Sequence, residues 1–260
     1  MVRVKDIADA IEKFAPRALQ ESYDNTGLQV GHSNMKVSAV LVCLDITEEV
    51  VEEAIRRKCN LIVSHHPLIF KGLKHLTGAT VSERVIERAI KENIALYASH
   101  TNLDSTFEGV SYEMATILGL SDLKVLEPRQ DGSGLGVIGE IPTTPTIEFL
   151  RKVKKKFNVK CLRFSDEAAR LVVRKVALCG GAGVSLCGKA IEEGADVFIT
   201  GDVKYHDFTT YGQDIVLVDI GHYESELCSR NILARVILRN FTDFPVFISE
   251  SDINPVKFLE

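Results

Sequence analysis

The stretch Leu96-Tyr-Ala-Ser-His100-Thr-Asn-Leu-Asp104 is an apolar run that ends at a histidine, with a carboxylate four residues later. Leu217-Val-Asp-Ile-Gly-His222-Tyr-Glu-Ser-Glu226 repeats this arrangement further along the chain. Where a strand gives way to the first turn of a helix, side chains four residues apart lie on one side of the turn, with Cβ atoms roughly 5 to 6 Å apart. Each stretch therefore predicts a strand that delivers an imidazole and a carboxylate as a pair of metal ligands.

A third stretch, Leu61-Ile-Val-Ser-His65-His66-Pro67, places two adjacent histidines at another predicted strand end. Taken alone, such a pair before proline is more typical of a packed loop, and a single histidine–carboxylate pair is equally ambiguous. Four of the seven histidines nevertheless follow strand ends, and together the three stretches supply more nitrogen and oxygen ligands than one ion needs. The sequence therefore predicts a two-metal site. Its candidate ligands are imidazoles and carboxylates with no cysteine, a set that suits Zn, Fe, Mn, Co or Ni better than it suits a thiolate site or an all-oxygen calcium site.

Apolar strands alternate with amphipathic helices through most of the chain, which predicts an α/β fold with mainly parallel sheets. Helices are predicted at 4–14, 48–58, 81–91, 108–118, 147–157, 186–193 and 227–240, and strands at 37–44, 60–64, 94–99, 174–179, 196–200 and 215–219. The strand before His65 aligns with the strand before Gly201, and His100 aligns with His222, which indicates an internal duplication.

We therefore expect two similar α/β lobes, 1–124 and 125–260. In a variant of this division, a C-terminal segment packs back on the first lobe. In open α/β sheets, ligands gather beyond the carboxyl ends of the strands. Every candidate ligand follows such an end, so we expect the metal site in the cleft between the lobes.

Composition narrows the class of protein. The chain has 260 residues, is 45% hydrophobic and carries a net charge of -5, which argues against nucleic acid as a partner because such surfaces are usually basic. The six cysteines form no CxxC pair and are predicted to be mostly buried, reduced thiols. Neither a signal-peptide pattern nor a long apolar run is present, so we expect a cytoplasmic protein without a membrane partner.

Two glycine-rich stretches resemble phosphate-binding motifs. Gly134-Leu-Gly-Val-Ile-Gly139 matches GxGxxG, but it runs into Glu140-Ile-Pro instead of a helix, so we reject it as a nucleotide motif. Cys179-Gly-Gly-Ala-Gly183 lies between a predicted strand and a predicted helix. Its amides form either an anion nest or a tight turn, and the turn is the simpler interpretation.

The remaining histidines divide into two groups. Thr200-Gly-Asp202-Val-Lys-Tyr-His206 follows a strand end, and either Asp202 or His206 is predicted to orient a ligand or to transfer a proton. His32 and His75 lie in polar stretches and are predicted to be surface residues.

These motifs, in this order, resemble the Nif-three-like dinuclear metal-centre family, whose members are named GTP cyclohydrolase 1 type 2 homologs. The resemblance spans nearly the whole chain and also includes Tyr23-Asp-Asn-Thr-Gly-Leu28, in which Tyr23 stands where the family often has tryptophan. It implies two α/β lobes, a ring-shaped homohexamer and two divalent ions. The ligands that it implies are His65, His66, Asp104, His222 and Glu226, with Glu226 suited to bridging the ions.

The function that the resemblance implies is metal-dependent hydrolysis of a small molecule, such as a nucleotide. In the reaction suggested by the family name, a metal-bridged hydroxide attacks C8 of GTP, and His100 or His206 carries the proton. Two alternatives stay open at this point. The same site would suit a phosphoester or a cyclic amide, and a ring-shaped protein that binds metal or partners without catalysis would carry the same motifs.

Overall fold

The chain folds into two compact units in a computed structural model that describes residues 1–166 and 170–259. The first unit comprises Met1–Leu103 and Ser229–Pro255, and the second comprises Asp104–Cys228 and the residues after Pro255. The sequence places the boundary near residue 124, whereas the chain enters the second unit at Asp104. The difference arises because the helix Val110–Leu118 packs against strands of the second sheet and the strand Ser121–Pro128 is part of that sheet.

The first unit is built on a five-stranded sheet in the order β1-β4-β3-β2-β11. Its strands are β1 (Gly27–Val30), β2 (Val40–Cys43), β3 (Leu61–Ser64), β4 (Ala95–Ala98) and β11 (Val246–Ile248), and its helices are α1 (Val4–Phe14), α2 (Glu48–Arg57), α3 (Val81–Lys91) and α10 (Ser229–Asn240). All strand pairs are parallel except the antiparallel pair of β1 and β4. β2, β3 and β4 are buried along their whole length, as their continuous apolar runs predict.

A buried carboxylate fastens the C-terminal segment to this unit. Glu53 on α2 is buried and accepts hydrogen bonds from the amides of Glu250 and Ser251 and from the hydroxyl of Ser249 (2.6 Å). Burial raises the pKa of Glu53, but these hydrogen bonds outweigh it and lower the pKa to about 2. The segment after β11 is thereby held beside the carboxyl ends of the parallel strands.

The second unit contains a six-stranded sheet in the order β5-β6-β8-β9-β10-β7. Its strands are β5 (Ser121–Pro128), β6 (Gly134–Pro145), β7 (Arg163–Phe164), β8 (Val172–Leu178), β9 (Val197–Thr200) and β10 (Val216–Asp219), and its helices are α5 (Val110–Leu118), α6 (Thr146–Lys156), α7 (Cys187–Glu192), α8 (Tyr205–Tyr211) and α9 (His222–Glu226). A four-residue helix, α4 (Thr101–Asp104), carries the chain into this unit.

The second sheet is mixed. β8, β9 and β10 are parallel, like β2, β3 and β4 in the first sheet, whereas the pairs β5–β6, β6–β8 and β10–β7 are antiparallel. The predicted α/β class is confirmed. Both sheets were predicted to be mainly parallel, but in the second sheet only β8, β9 and β10 are parallel. The parallel runs β2-β3-β4 in the first sheet and β8-β9-β10 in the second agree with the alignment of β3 with β9 and of β4 with β10.

The glycine-rich stretch around Gly134 forms β6, so its rejection as a nucleotide motif is confirmed. Four short or irregular strands, namely β1, β5, β7 and β11, and the long strand β6 are absent from the sequence-based prediction. Five of the cysteines are buried and Cys161 is exposed, as expected for reduced core thiols. Within the described part of the chain, no helix has the length and apolarity that crossing a membrane requires.

Candidate metal centre

Three histidines cluster at the carboxyl ends of β3 and β4 in the first unit. His65 and His66 directly follow β3, where their amides donate to the carbonyl oxygens of Cys43 and Leu44 and so extend the pairing with β2. His100 follows β4. Ring centroids of the three imidazoles lie 5.1 to 5.4 Å apart, and one ligand nitrogen from each lies within 4.8 Å of the others. His65 is fully buried, and the other two are half-buried.

Each imidazole of this cluster is oriented through Nδ1. His65 Nδ1 lies 2.9 Å from the carbonyl oxygen of Ser99, to which it donates. His66 Nδ1 lies 2.9 Å from Asp45 Oδ1, and His100 Nδ1 lies 2.9 Å from Asp24 Oδ1. Carbonyl and carboxylate oxygens only accept, so each contact places the proton on Nδ1 and the lone pair on Nε2. Metal-binding histidines are usually held in this way.

Asp24 orients His100, the histidine of the cluster that follows β4. Its side chain is buried, and it accepts hydrogen bonds from His100 and from both the amide (3.0 Å) and the hydroxyl (2.5 Å) of Thr101. Burial raises its pKa, but the bonds from His100 and Thr101 outweigh this and hold the pKa well below the usual range. Asp24 is therefore a fixed negative charge that orients His100.

A second set of candidate ligands lies in the second unit. His222 and Glu226 occupy the two ends of α9, and His222 Nε2 lies 3.0 Å from Glu226 Oε2. One carboxylate oxygen of Asp104 lies within 4.8 Å of one from Glu226. Both carboxylates also raise the pKa of the Cys179 thiol to about 12, although burial is the larger cause. Asp104 and Glu226 therefore concentrate negative charge at one place in this unit.

His222 is also held through Nδ1, which lies 2.9 Å from Asp202 Oδ2. This contact agrees with the ligand-orienting role predicted for Asp202. With the proton on Nδ1, the Nε2 lone pair faces a carboxylate oxygen at 3.0 Å. Two electron-rich atoms at this distance require a cation between them, either a proton or a metal ion. The donor set thus suits a divalent ion.

A buried carboxylate that pairs with an exposed arginine supports the loop that carries Asp202. Asp219, at the end of β10, accepts hydrogen bonds from the amides of Val203 (3.1 Å) and Gly221 (2.8 Å) and pairs with Arg163. Since Val203 follows Asp202 and Gly221 precedes His222, one carboxylate fixes both partners of the Asp202–His222 contact.

The turn Cys179–Gly183 packs directly against this set. The Gly181 amide donates to Ser225 Oγ (2.9 Å) and the Gly183 amide donates to Thr200 Oγ1 (2.9 Å). These amides serve internal hydrogen bonds, so the tight-turn interpretation is confirmed for them over an anion nest. Gly181 has φ +63°, and a Cβ there would overlap Glu226 Oε1. Glycine at this position lets the carboxylate lie against the backbone.

The remaining predicted residues lie either at the surface or in the histidine cluster. His206 is exposed on α8, with its ring centroid 5.3 Å from that of Tyr205, and among the described residues it belongs to no group of clustered metal-ligand atoms. His32 and His75 are exposed, as predicted. His100, predicted for proton transfer, lies among the candidate ligands.

Sequence reasoning assigned no role to Asp24 and Asp45. Asp45 directly follows Leu44 at the end of a predicted strand, so the rule that placed the histidines also applied to it. Asp24 lies in the Tyr23–Leu28 motif, but no local pattern connects it to His100, 76 residues away.

Each of the two units presents histidine or carboxylate side chains after parallel strands. This arrangement defines the chain as a candidate α/β metalloprotein. Residues 2–255 match the family model Duf34/NIF3 (NGG1p interacting factor 3), and the chain belongs to this family. It is 32% identical to the GTP cyclohydrolase 1 type 2 homolog of Clostridium acetobutylicum over 99% of both chains, and 37% identical to that of Lactococcus lactis over 96% of both.

Solved structures agree with this assignment. A Staphylococcus aureus protein superposes with a TM-score of 0.93 at 29% identity, covering 99% of both chains. A Bacillus cereus protein related to NIF3 superposes with a TM-score of 0.89 at 26% identity, again covering 99% of both chains. The two-lobe α/β fold is therefore that of NIF3 proteins.

Proposed function

We propose that the chain is a hydrolase that depends on two divalent metal ions. The proposed ligands are His65, His66, Asp104, His222 and Glu226, the set implied by the family resemblance. The observation that supports this best is the shared orientation of the histidines. Every one of them uses Nδ1 for a carbonyl or carboxylate oxygen, which leaves Nε2 as the atom available to a metal ion.

The charges fit the same proposal. Two carboxylates within 4.8 Å of each other repel unless a cation or a proton lies near them. When bound, two divalent ions lower the pKa of a water molecule and polarise the bond under attack. Glu226, which is buried between the turn at Gly181 and His222, is the residue that we propose to bridge the ions.

We propose His100 as the proton carrier, with the exposed His206 as the alternative. Asp24 holds His100 Nδ1, so the proton would be exchanged at Nε2. A His100→Gln variant should keep its metal and lose much of its turnover, because general acid–base catalysis contributes typically 10²- to 10⁴-fold. Loss of metal in this variant would instead make His100 a ligand, as its place beside His65 and His66 also allows.

The name of the relatives suggests the substrate. We propose a purine nucleotide such as GTP, with opening of the imidazole ring at C8 and release of formate. The donor set supports hydrolysis more strongly than it supports this substrate, so a screen should also contain a phosphodiester and a cyclic amide.

The test combines metal analysis with that screen. Purified protein should contain divalent metal, and Glu226→Ala should lower both metal content and turnover. His75→Ala, which changes an exposed histidine, should leave both at the wild-type level. Turnover that survives in Glu226→Ala would show that another site is responsible, and equal metal content in Asp104→Asn and His75→Ala would refute the ligand assignment.

A cytoplasmic ring-shaped homohexamer is the assembly that we propose from the family resemblance. The mass measured by light scattering should be six times the 28.8 kDa of one chain. A monomeric mass at micromolar concentration would refute it.

A further inference from the structure

Two exposed aromatic rings lead from the protein surface to the histidine cluster of the first unit. Tyr23 is 64% exposed and Phe70 is 43% exposed, and their ring centroids lie 6.2 Å apart at an angle of 56°. The Phe70 ring in turn lies 6.2 Å from the imidazole of His100, nearly edge-on at 77°. The two rings form a corner that opens to solvent beside His100.

Hydrogen bonds hold this corner in place. Asn25 Nδ2 donates to the carbonyl oxygen of Ile69 (2.6 Å), and the Ile69 amide donates to Gln29 Oε1 (2.8 Å). The residue before Phe70 is thus tied to the segment that carries Tyr23. Asp24, next to Tyr23, is the carboxylate that orients His100. The aromatic corner and the imidazole therefore belong to one hydrogen-bonded framework, which lowers the cost of ordering them around a ligand.

We infer that Tyr23 and Phe70 are a stacking surface for a planar heteroaromatic ring of the substrate. This inference rests on the proposed function and adds a binding element to it. A flat ring laid on one of the two rings meets the edge of the other, which is the offset and edge-to-face geometry that aromatic groups favour. A ring bound there lies beside His100, so the rest of the ligand is directed towards the candidate metal ligands. A sugar phosphate without a base has no π face to stack on this surface.

The chain contains no tryptophan, which provides a direct assay. Tyr23→Trp retains a stacking ring and introduces a single tryptophan fluorophore at the proposed surface. The probes are GMP, AMP and UMP, with ribose 5-phosphate as the ligand that lacks a ring. We expect at least one nucleotide to quench the tryptophan emission with saturation, and ribose 5-phosphate to leave it unchanged.

Two further substitutions in the Tyr23→Trp background separate stacking from loop damage. Phe70→Ala should raise the Kd of the quenching nucleotide roughly 5- to 150-fold, the range expected for one base stacked on one aromatic ring. Leu73→Ala is the control, because Leu73 lies three residues further on and is equally exposed at 43% but has no ring. Its Kd should stay at that of the Tyr23→Trp protein.

Three results would overturn the inference: no quenching by any of the three nucleotides, equal quenching by ribose 5-phosphate, or equal effects of Phe70→Ala and Leu73→Ala. A tryptophan emission that shifts with protein concentration in the absence of ligand would instead assign the surface to contact with a second copy of the chain. Binding is measured without turnover, so the outcome is distinct from that of the proposed function. Normal metal content and turnover without nucleotide binding refute only the stacking surface. Nucleotide binding by a protein that neither holds divalent metal nor turns over any substrate of the screen refutes only the metal-dependent hydrolase.

Discussion

Replacing Gly181 by alanine should damage the metal site far more than it damages the fold. The residue has φ +63°, a conformation that costs an L-residue about 1–2 kcal/mol. The added Cβ would overlap Glu226 Oε1 and lie 3.1 Å from Glu226 Cδ and 3.5 Å from His222 Cε1. The turn has little room to retreat, because the Gly181 carbonyl oxygen accepts hydrogen bonds from the Gly201 amide (2.8 Å) and from Thr200 Oγ1 (2.9 Å).

The Glu226 carboxylate is therefore the group that must move. Displacing a proposed ligand should lower metal affinity by at least the roughly 10- to 100-fold that is typical when a supporting partner of a ligand is removed. Metal affinity can be measured by competition with a chromophoric chelator, and the free energy of unfolding by urea titration of the metal-free protein.

Gly194 provides the matched control for this experiment. It has φ +74°, but an added Cβ there meets no atom within 4 Å. Gly194→Ala should thus lose a similar 1–2 kcal/mol of stability from backbone strain while keeping its metal affinity. Wild-type affinity in Gly181→Ala, or an equal loss of affinity in Gly194→Ala, would show that the added methyl group does not act through Glu226.

Three other substitutions test separate parts of the structure. Asp202→Asn removes the charge that holds His222 Nδ1, so chelator competition should show metal affinity reduced roughly 10- to 100-fold; unchanged affinity would mean that the contact is incidental. Glu53 has a folded-state pKa lowered to about 2 from 4.5, so it contributes stability above pH 4.5 that is lost as the pH falls towards 2. Urea titrations should accordingly show that Glu53→Gln is less stable than wild type at pH 7 and that this difference shrinks by pH 3; a difference that does not change with pH would contradict this. Native protein should react rapidly with a thiol reagent at one cysteine of six, and Cys161→Ser should abolish that reaction; rapid reaction at several thiols would contradict the burial of the others.

The sequence predicted the parts of the fold that depend on local pattern. α3 has the predicted limits, Val81–Lys91, and α1 ends at Phe14, before Pro16. Continuous apolar runs correctly predicted β3 and β4, because a strand that is buried on both faces does not alternate apolar with polar residues. The histidines at their ends followed from the rule that groups after parallel strands meet at one edge of the sheet.

What the sequence did not predict depends on pairing between distant segments. β6 contains glycines and prolines that are unfavourable for strands, and it is stabilised by pairing with β5 and β8. β11 has only three residues and pairs with β2, roughly 200 residues earlier in the chain. This pairing also places Ser229–Pro255 in the first unit, an arrangement that the predicted division included only as a variant.

The candidate site also combines features that local sequence patterns predict with features that depend on contacts between distant residues. The ligand candidates at strand ends could be found from spacing, and Asp202 was found because it follows a strand end. The contact between Asp24 and His100 joins residues 76 positions apart, so only the folded chain reveals it. The stacking corner of Tyr23 and Phe70 likewise depends on two loops that meet in space.

Anomalous X-ray scattering from crystals of zinc-loaded protein tests the proposed ligand set most directly. The proposed ligand set predicts two anomalous peaks per chain, each about 2.0–2.2 Å from its nitrogen and oxygen ligands, with every histidine bound through Nε2 and none through Nδ1. Peaks remote from His65, His66 and His222, or histidines that bind zinc through Nδ1, would contradict it.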